Sequence, residues 1–179
     1  MKQKNSIIII SGGMDSVTLL YDQKDYIALA VTFDYGSNHN KREAELAAYR
    51  ANFYLASANA VTEHGEIYQV DGNSNRISAL AYGPERVILV VGKNKIVKDL
   101  RSAVERVKRY AAPANATRFG KGCFCEKAGH CIQKDFDENH LMCAAHCGED
   151  TICRNTLIMS KQKSNERITV IIVGEDLGY

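Results

Sequence analysis

The stretch "IIIISGGMDS", residues 7–16, decides how the rest of the chain is read. Four consecutive isoleucines are β-branched and apolar on both faces, the pattern of a strand buried in a parallel sheet. The run stops at Ser11-Gly12-Gly13, and "DSVTLLYDQ" (15–23) then reads as a short helix with Asp15 or Ser16 near its cap. "YIALAVTFDYG" (26–36) is a second buried strand. Strand, glycine turn, helix and strand open a doubly wound α/β fold. Such a turn leaves backbone N–H groups free at a helix start, where they favour an anion, and glycines let phosphate oxygens approach. The plainer reading is a tight strand-to-helix turn, so on residue chemistry alone phosphate binding is modestly favoured.

Bulk properties set limits. The chain has 179 residues, 45% of them hydrophobic and 25% charged, with a net charge of +2. That is an ordinary globular composition with room for a core. The charge is too balanced to argue for nucleic acid or a membrane surface. No apolar run approaches the roughly 18 residues of a membrane span. The apolar run at the start is too short for a signal peptide, so the expected location is cytoplasmic.

Beyond the opening, "NKREAELAAYRA" (40–51) is rich in helix formers. "FYLASANAVT" (53–62) and "GEIYQVDG" (65–72) read as two strands around a turn at residues 63–65. "NRISALAYG" (75–83) reads as a short helix closed by Gly83, and "RVILVV" (86–91) as a buried strand. Val97, Leu100, Val104, Val107 and Ala111 share one helical face, with Lys98, Arg101, Glu105, Arg106, Lys108 and Arg109 at the other positions. Pro113 is expected to end that helix. "TLIMS" (156–160) and a buried "ITVIIV" strand (168–173) complete the pattern.

Three groups of residues carry candidate chemistry. Ser57, Asn59 and Thr62 fall at a strand end, where open α/β sheets hold ligands. Asp71, Asn73, Asn75 and Arg76 form a polar cluster suited to a carboxylate or phosphate, with turn chemistry slightly ahead for each residue alone. Lys93 and Lys95 read as a solvated face before an anion site. Six cysteines lie within residues 123–153, spaced C-x-C-x5-C-x11-C-x3-C-x5-C, with His130, His140 and His146 among them. A reducing cytosol argues against disulfides, and the density of soft ligands favours zinc or an iron–sulfur cluster over free thiols.

Two family resemblances sharpen this reading. "SGGMDS" looks like the PP-loop of ATP pyrophosphatases, and with "FDYGSNH" (33–39) it resembles the 7-cyano-7-deazaguanine synthase family of the queuosine pathway over about residues 5–45. That resemblance implies ATP, with magnesium, on Ser11, Gly12, Gly13, Met14, Asp15 and Ser16, and matches Asp34, Tyr35, Gly36 and His39 to the second strand's end. From about residue 46, the blocks "SANAVTEHG", "DGNSNR", "VGKNKIVKD", "AAPANA" and "GEDLGY" are similar to the LUD domain of lactate-utilisation proteins. This second resemblance implies a fold like ribose-5-phosphate isomerase and CoA transferases. The expected architecture is thus a Rossmann-like, mostly parallel sheet with helices on both faces and a cysteine-rich insertion. It also implies a role beside iron–sulfur complexes that oxidise lactate. Asn59, Asp71, Asn75 and Arg76 become ligand-binding candidates, and Cys125, Cys131, Cys147 and Cys153 the best-aligned metal ligands.

The expected organisation is a PP-loop segment (1–45) and a LUD-like segment (46–179) in one compact domain. Either one βαβ unit replaces another in a sheet that still closes, or two fragments were joined by accident, and the abrupt join favours the second. The expected function is an accessory or ligand-binding subunit of carboxylic-acid utilisation. The alternative is an incomplete ATP-dependent enzyme of the PP-loop class. Neither parent's catalytic set is whole, so no catalytic residue is assigned.

Overall fold

The structure, a computed structural model, describes residues 6–10, 27–32, 46, 48–120, 122–133, 147 and 151–179. Contacts divide the chain into two discontinuous units. The first holds residues 1–57, 78–93 and 162–178, and the second 58–77, 94–161 and 179.

The first unit is built on a five-stranded sheet of β1 (Ser6–Ile10), β2 (Ile27–Thr32), β3 (Phe53–Ala56), β6 (Arg86–Gly92) and β9 (Ile168–Val173), in the order β2-β1-β3-β6-β9. Every pairing in it is parallel. The opening strand joins β3 through Ile8–Phe53, Ile9–Tyr54 and Ile10–Leu55. The register of β3 on β6 sets Phe53, Leu55, Ile88 and Val90 on one face, where Val173 and Leu177 pack against them. On the other face Tyr54 (2% exposed), Val87, Leu89 and Val91 (all 0%) are fully covered. Burying a side chain of this size contributes about 1.5–3 kcal/mol, and burial on both faces explains why these strands lack a polar alternation.

The strand expected to be buried at residues 168–173 departs from that pattern. β9 lies at the edge of the sheet, and Ile171 and Ile172 are 36% and 58% exposed. An unbroken apolar run reports strand propensity, and neighbours on each side decide burial.

The second unit has a four-stranded mixed sheet, β7-β4-β5-β8, made of β4 (Ala60–Thr62), β5 (Ile67–Asp71), β7 (Ile96–Val97) and β8 (Asn155–Met159). β5 pairs antiparallel with both β4 and β8, and β4 runs parallel to β7. The single strand expected over 53–62 is therefore two strands in different sheets. The break falls at Ser57-Ala58-Asn59, because Asn59 makes side-chain and main-chain bonds to β5. Its Oδ1 accepts the Val70 N–H (2.7 Å) and its own N–H donates to Gln69 Oε1 (3.1 Å). Thr62 closes the following hairpin: its hydroxyl donates to Glu66 Oε2 (2.6 Å) and accepts the Glu66 N–H (3.0 Å).

Asn75–Ala81 forms helix α1. The long helix begins with α2 (Leu100–Arg106), capped by Asp99, which accepts the Ser102 N–H (2.8 Å) and hydroxyl (2.7 Å). Those bonds hold the Asp99 carboxyl below its ordinary pKa. The chain does not stop at Pro113, as expected, but passes through a π-helical turn, Val107–Ala111, into α3 (Ala112–Phe119). In the wide turn the Ala112 N–H bonds Val107 O, five residues back. The extra residue relaxes the crowding that proline's ring causes in a regular α-helix and absorbs its missing donor. It also shifts the apolar stripe by one, so Ala103, Val104, Val107 and Ala112 all pack on Ala60, Tyr68 and Val70 of the sheet. Val97, expected on the helix, belongs to β7 and flanks this cluster. A short helix, α4 (Phe124–Ala128), opens the cysteine segment. Among the described residues, no helix is long and apolar enough to cross a membrane.

Three substitutions test this structure. Gly83 has φ +114°, and a Cβ there would sit 2.8 Å from Tyr49 Cα. Gly83→Ala should cost about 1–3 kcal/mol in urea unfolding from backbone strain, with the Tyr49 clash added to it. An unchanged midpoint would refute the close approach. Asp71→Ala should cost about 1–3 kcal/mol, because its carboxylate satisfies the N–H groups that open α1. Asn73→Ala, measured the same way, should stay within about 0.5 kcal/mol.

Candidate functional site

In a parallel sheet, loops at the carboxyl ends of the strands gather on one edge, and a crevice opens where the strand order reverses. Here the reversal falls at β1, with β2 on one side and β3 on the other. The chain leaves β1 at Ile10 straight into Ser11-Gly12-Gly13 and leaves β3 at Ala56 into Ser57. The loop candidates Ser11 to Ser16 and the residues Asp34 to His39 lie outside the described residues. At the carboxyl ends of β6 and β9, the Lys93 N–H donates to Glu175 O (3.1 Å), and Lys93 Nζ stands 4.0 Å from Asp176 on the surface.

The polar candidates of the second unit are tightly engaged. Asp71, 5% exposed, accepts the Asn73 N–H on Oδ1 (3.2 Å) and the Arg76 N–H on Oδ2 (2.9 Å), with the Ile77 N–H at 3.4 Å. The Arg76 guanidinium donates to Val70 O (3.2 Å) and lies 3.8 Å from Asp71 Oδ2. Ser74 takes a positive φ of 63° to make this turn, and Gly72 lets the backbone of Ile152 come close. This is the turn chemistry that the sequence weighed against a ligand cluster, with Asn75 as the first residue of α1.

A second polar group went unread in the sequence. Arg106 sits on the helix off its apolar face, and its Nη1 donates to Asn59 O (2.7 Å) and its Nε to Asn94 O (2.8 Å). Burial pushes its pKa down. Lys95, expected to be solvated, is 4% exposed, and Lys108, off the apolar face of the helix, is 3% exposed. The sequence carries one signal for this: Asn59 and Asn94 flank short strands, where side chains complete what the ladders leave unpaired.

Of the cysteines, Cys123 and Cys125 are buried and Cys131, Cys147 and Cys153 half-buried, none of these five in a disulfide, while Cys143, His140 and His146 lie outside the described residues. Cys123 Sγ and Cys125 Sγ are 3.6 Å apart, packed with Ala116 and Ile152. Burial, the Cys123 contact, and then the neighbouring thiols of Cys123, Cys153 and Cys131 push the Cys125 thiol up to about 12. Cys147 Sγ is bonded to Thr151 Oγ1 (2.9 Å). His130 Nδ1 stands 3.0 Å from Cys131 O, within hydrogen-bond distance of that carbonyl. Among the described residues, no three His, Cys, Asp or Glu side chains stand at metal-binding spacing. What the geometry contains is a thiol pair that included Cys123, which the sequence comparison passed over, with further thiols near it.

Comparisons with known proteins add to this. The sequence model of the LUD domain family matches residues 3–173. Curated relatives include the 7-cyano-7-deazaguanine synthase of Porphyromonas gingivalis, 56% identical over 50 residues, which are 28% of this chain and 23% of that protein. The synthase of Psychrobacter cryohalolentis is 41% identical over 75 residues, 41% of this chain and 28% of its own length. The chain thus spans about a quarter of the length of these relatives. Among solved structures, a DUF162 family protein from Deinococcus radiodurans aligns over 94% of this chain and 88% of its own, at 16% identity and a TM-score of 0.42. The family match takes in the opening strand together with the four that follow it in the parallel sheet, and the chain belongs to the LUD domain family.

Proposed function

We propose that this protein is a ligand-binding accessory subunit of carboxylic-acid utilisation, of the lactate type, working beside an iron–sulfur oxidation complex. The observation that supports the reading is the strand order β2-β1-β3-β6-β9, whose reversal at β1 is the position where open α/β sheets hold ligands. The ligand is a small molecule with an anionic group, held by backbone N–H groups after Ile10 and by the polar residues after β3. Backbone donors at such a turn favour negative charge without discriminating carboxylate from phosphate.

A second reading is supported by one further observation, the 56% identity over 50 residues to a synthase named for 7-cyano-7-deazaguanine. On that reading Ser11, Gly12, Gly13, Met14, Asp15 and Ser16 hold the phosphates of ATP with magnesium. The cysteine segment belongs to either reading as a zinc or iron–sulfur site. Cys125, Cys131, Cys147 and Cys153, with Cys123 now beside Cys125, are soft donors that suit both. A bound cation would offset the cost of ionising Cys125 in its buried position.

Calorimetric titration of the purified chain with lactate and with Mg–ATP separates the readings, alongside metal analysis of the same sample. The accessory reading expects lactate or pyruvate to bind, about one equivalent of metal, and no pyrophosphate from ATP with any carboxylate. Gly12→Val should abolish binding at the crevice, since a side chain there blocks the anion's approach. Release of pyrophosphate would favour the enzyme reading, and heat from neither ligand would reject both.

A further inference from the structure

The geometry points to the outer edge of β9 as a self-association surface. On it, β9 of a second copy of this chain lies antiparallel and continues the five-stranded sheet across a twofold axis. The surface is independent of the ligand site proposed above.

β9 ends the strand order β2-β1-β3-β6-β9 and pairs with β6 from Val87–Ile168 to Gly92–Val173 without a register shift. The Val87 N–H donates to Arg167 O (2.7 Å), which fixes the residues of β9 that turn their main chain to β6. Main-chain groups point to alternate sides along a strand, so Thr169, Ile171 and Val173 follow Arg167 toward β6. Ile168, Val170 and Ile172 present their N–H and C=O groups to the outer edge. Among the described residues, no strand pairs with that edge.

Native proteins protect an exposed edge with a charge, a proline or a bulge. "ITVIIV" has none of the three. Its side chains extend the apolar rows of the sheet. Ile172 stands beside Val91, which is 0% exposed, and is itself 58% exposed. On the opposite face Ile171 stands beside Val90, which is 4% exposed, and is itself 36% exposed. A further strand beside β9 covers both.

The edge is complementary to itself. Antiparallel pairing about a twofold axis at Val170 sets Ile168 opposite Ile172 and Val170 opposite its own copy. Each such pair exchanges two N–H···O bonds, so every outward group of the strand is satisfied. The side chains that meet are all β-branched and apolar, which suits cross-strand packing. Charge selects the direction. The segment before β9 is basic, with Lys161, Lys163 and Arg167 against Glu166, and the turn after it is acidic, with Glu175 and Asp176. Arg167 is turned to the carbonyls of Ala79 and Leu80, so the two exposed lysines carry the basic end. Lys93, 4.0 Å from Asp176, offsets part of the acidic end. Antiparallel pairing lays the basic entry of each copy beside the acidic exit of the other, whereas parallel pairing sets like beside like.

The experiment uses the full chain. Sedimentation velocity from micromolar to millimolar concentration should show a saturable monomer–dimer equilibrium. Amide exchange should find Ile168, Val170 and Ile172 protected in the dimer and released on dilution, while Thr169, Ile171 and Val173 stay protected by β6. Val170→Pro removes an outward N–H and keeps the bonds to β6, and Ile172→Lys sets a charge at an exposed position of the edge. Each should weaken the dimer about tenfold to a hundredfold. Ile172→Lys reports on the surface even if Val170→Pro does not fold. Ile158→Lys makes the same change at an exposed isoleucine of β8, in the other sheet, and should dimerise as wild type. The proposal is overturned if the chain stays monomeric throughout or grows into open-ended assemblies. It is equally overturned if Ile168, Val170 and Ile172 stay protected on dilution, if Ile172→Lys dimerises as wild type, or if Ile158→Lys loses as much as Ile172→Lys.

Discussion

A parallel strand cannot pair with what immediately follows it in the chain, so β1 needs two partners brought from a distance. It finds one in β2 and the other in β3, through the register Ile8–Phe53, Ile9–Tyr54 and Ile10–Leu55. The rest of the first unit depends on that second pairing. It joins the synthase-like opening to the strands of the LUD-like segment in one sheet. It sets the reversal of strand order at β1. It also gives β3 a neighbour on each side, which is why Tyr54, Leu55 and Ala56 are buried within a strand of only four residues.

The second unit is held by a different means. Its strands are short, two to five residues, and side chains complete what the ladders begin. Asn59 bonds β5 twice, Thr62 closes the hairpin, Asp71 caps α1 and Arg106 gathers two carbonyls. Each satisfies main-chain groups that would be costly to bury unpaired. Residues that look like ligand-site material in a sequence therefore have structural work here. Among the described residues, the buried Gln69 Nε2 stands out as a donor without a hydrogen-bond partner.

The sequence shows much of the first unit. β1, β2 and β6 announce themselves by unbroken apolar runs, and α1 by its closing Gly83. Three features escape it for physical reasons. The split of residues 53–62 depends on Asn59 bonding to a strand ten residues away, which no local pattern reveals. The helix passes Pro113 because a π turn absorbs the proline, where propensity alone predicts a stop. The burial of Lys95 and Lys108, and the exposure of Ile171 and Ile172, depend on what packs against them. The cysteine segment was legible as a cluster, but spacing could not single out Cys123 as the partner of Cys125. The loop from Ser11 to Ser16 is read from sequence and from its place after β1.

The central claim is that the opening strands belong to the same sheet as the strands after residue 46. Native-state hydrogen exchange tests it most directly, since amides in one cooperative sheet open together. The account predicts that the amides of Ile8 to Ile10 are protected and exchange with the same opening free energy as those of β3 and β6. Exchange of Ile8 to Ile10 at the rate of an unfolded chain, with β3 and β6 still protected, would contradict it.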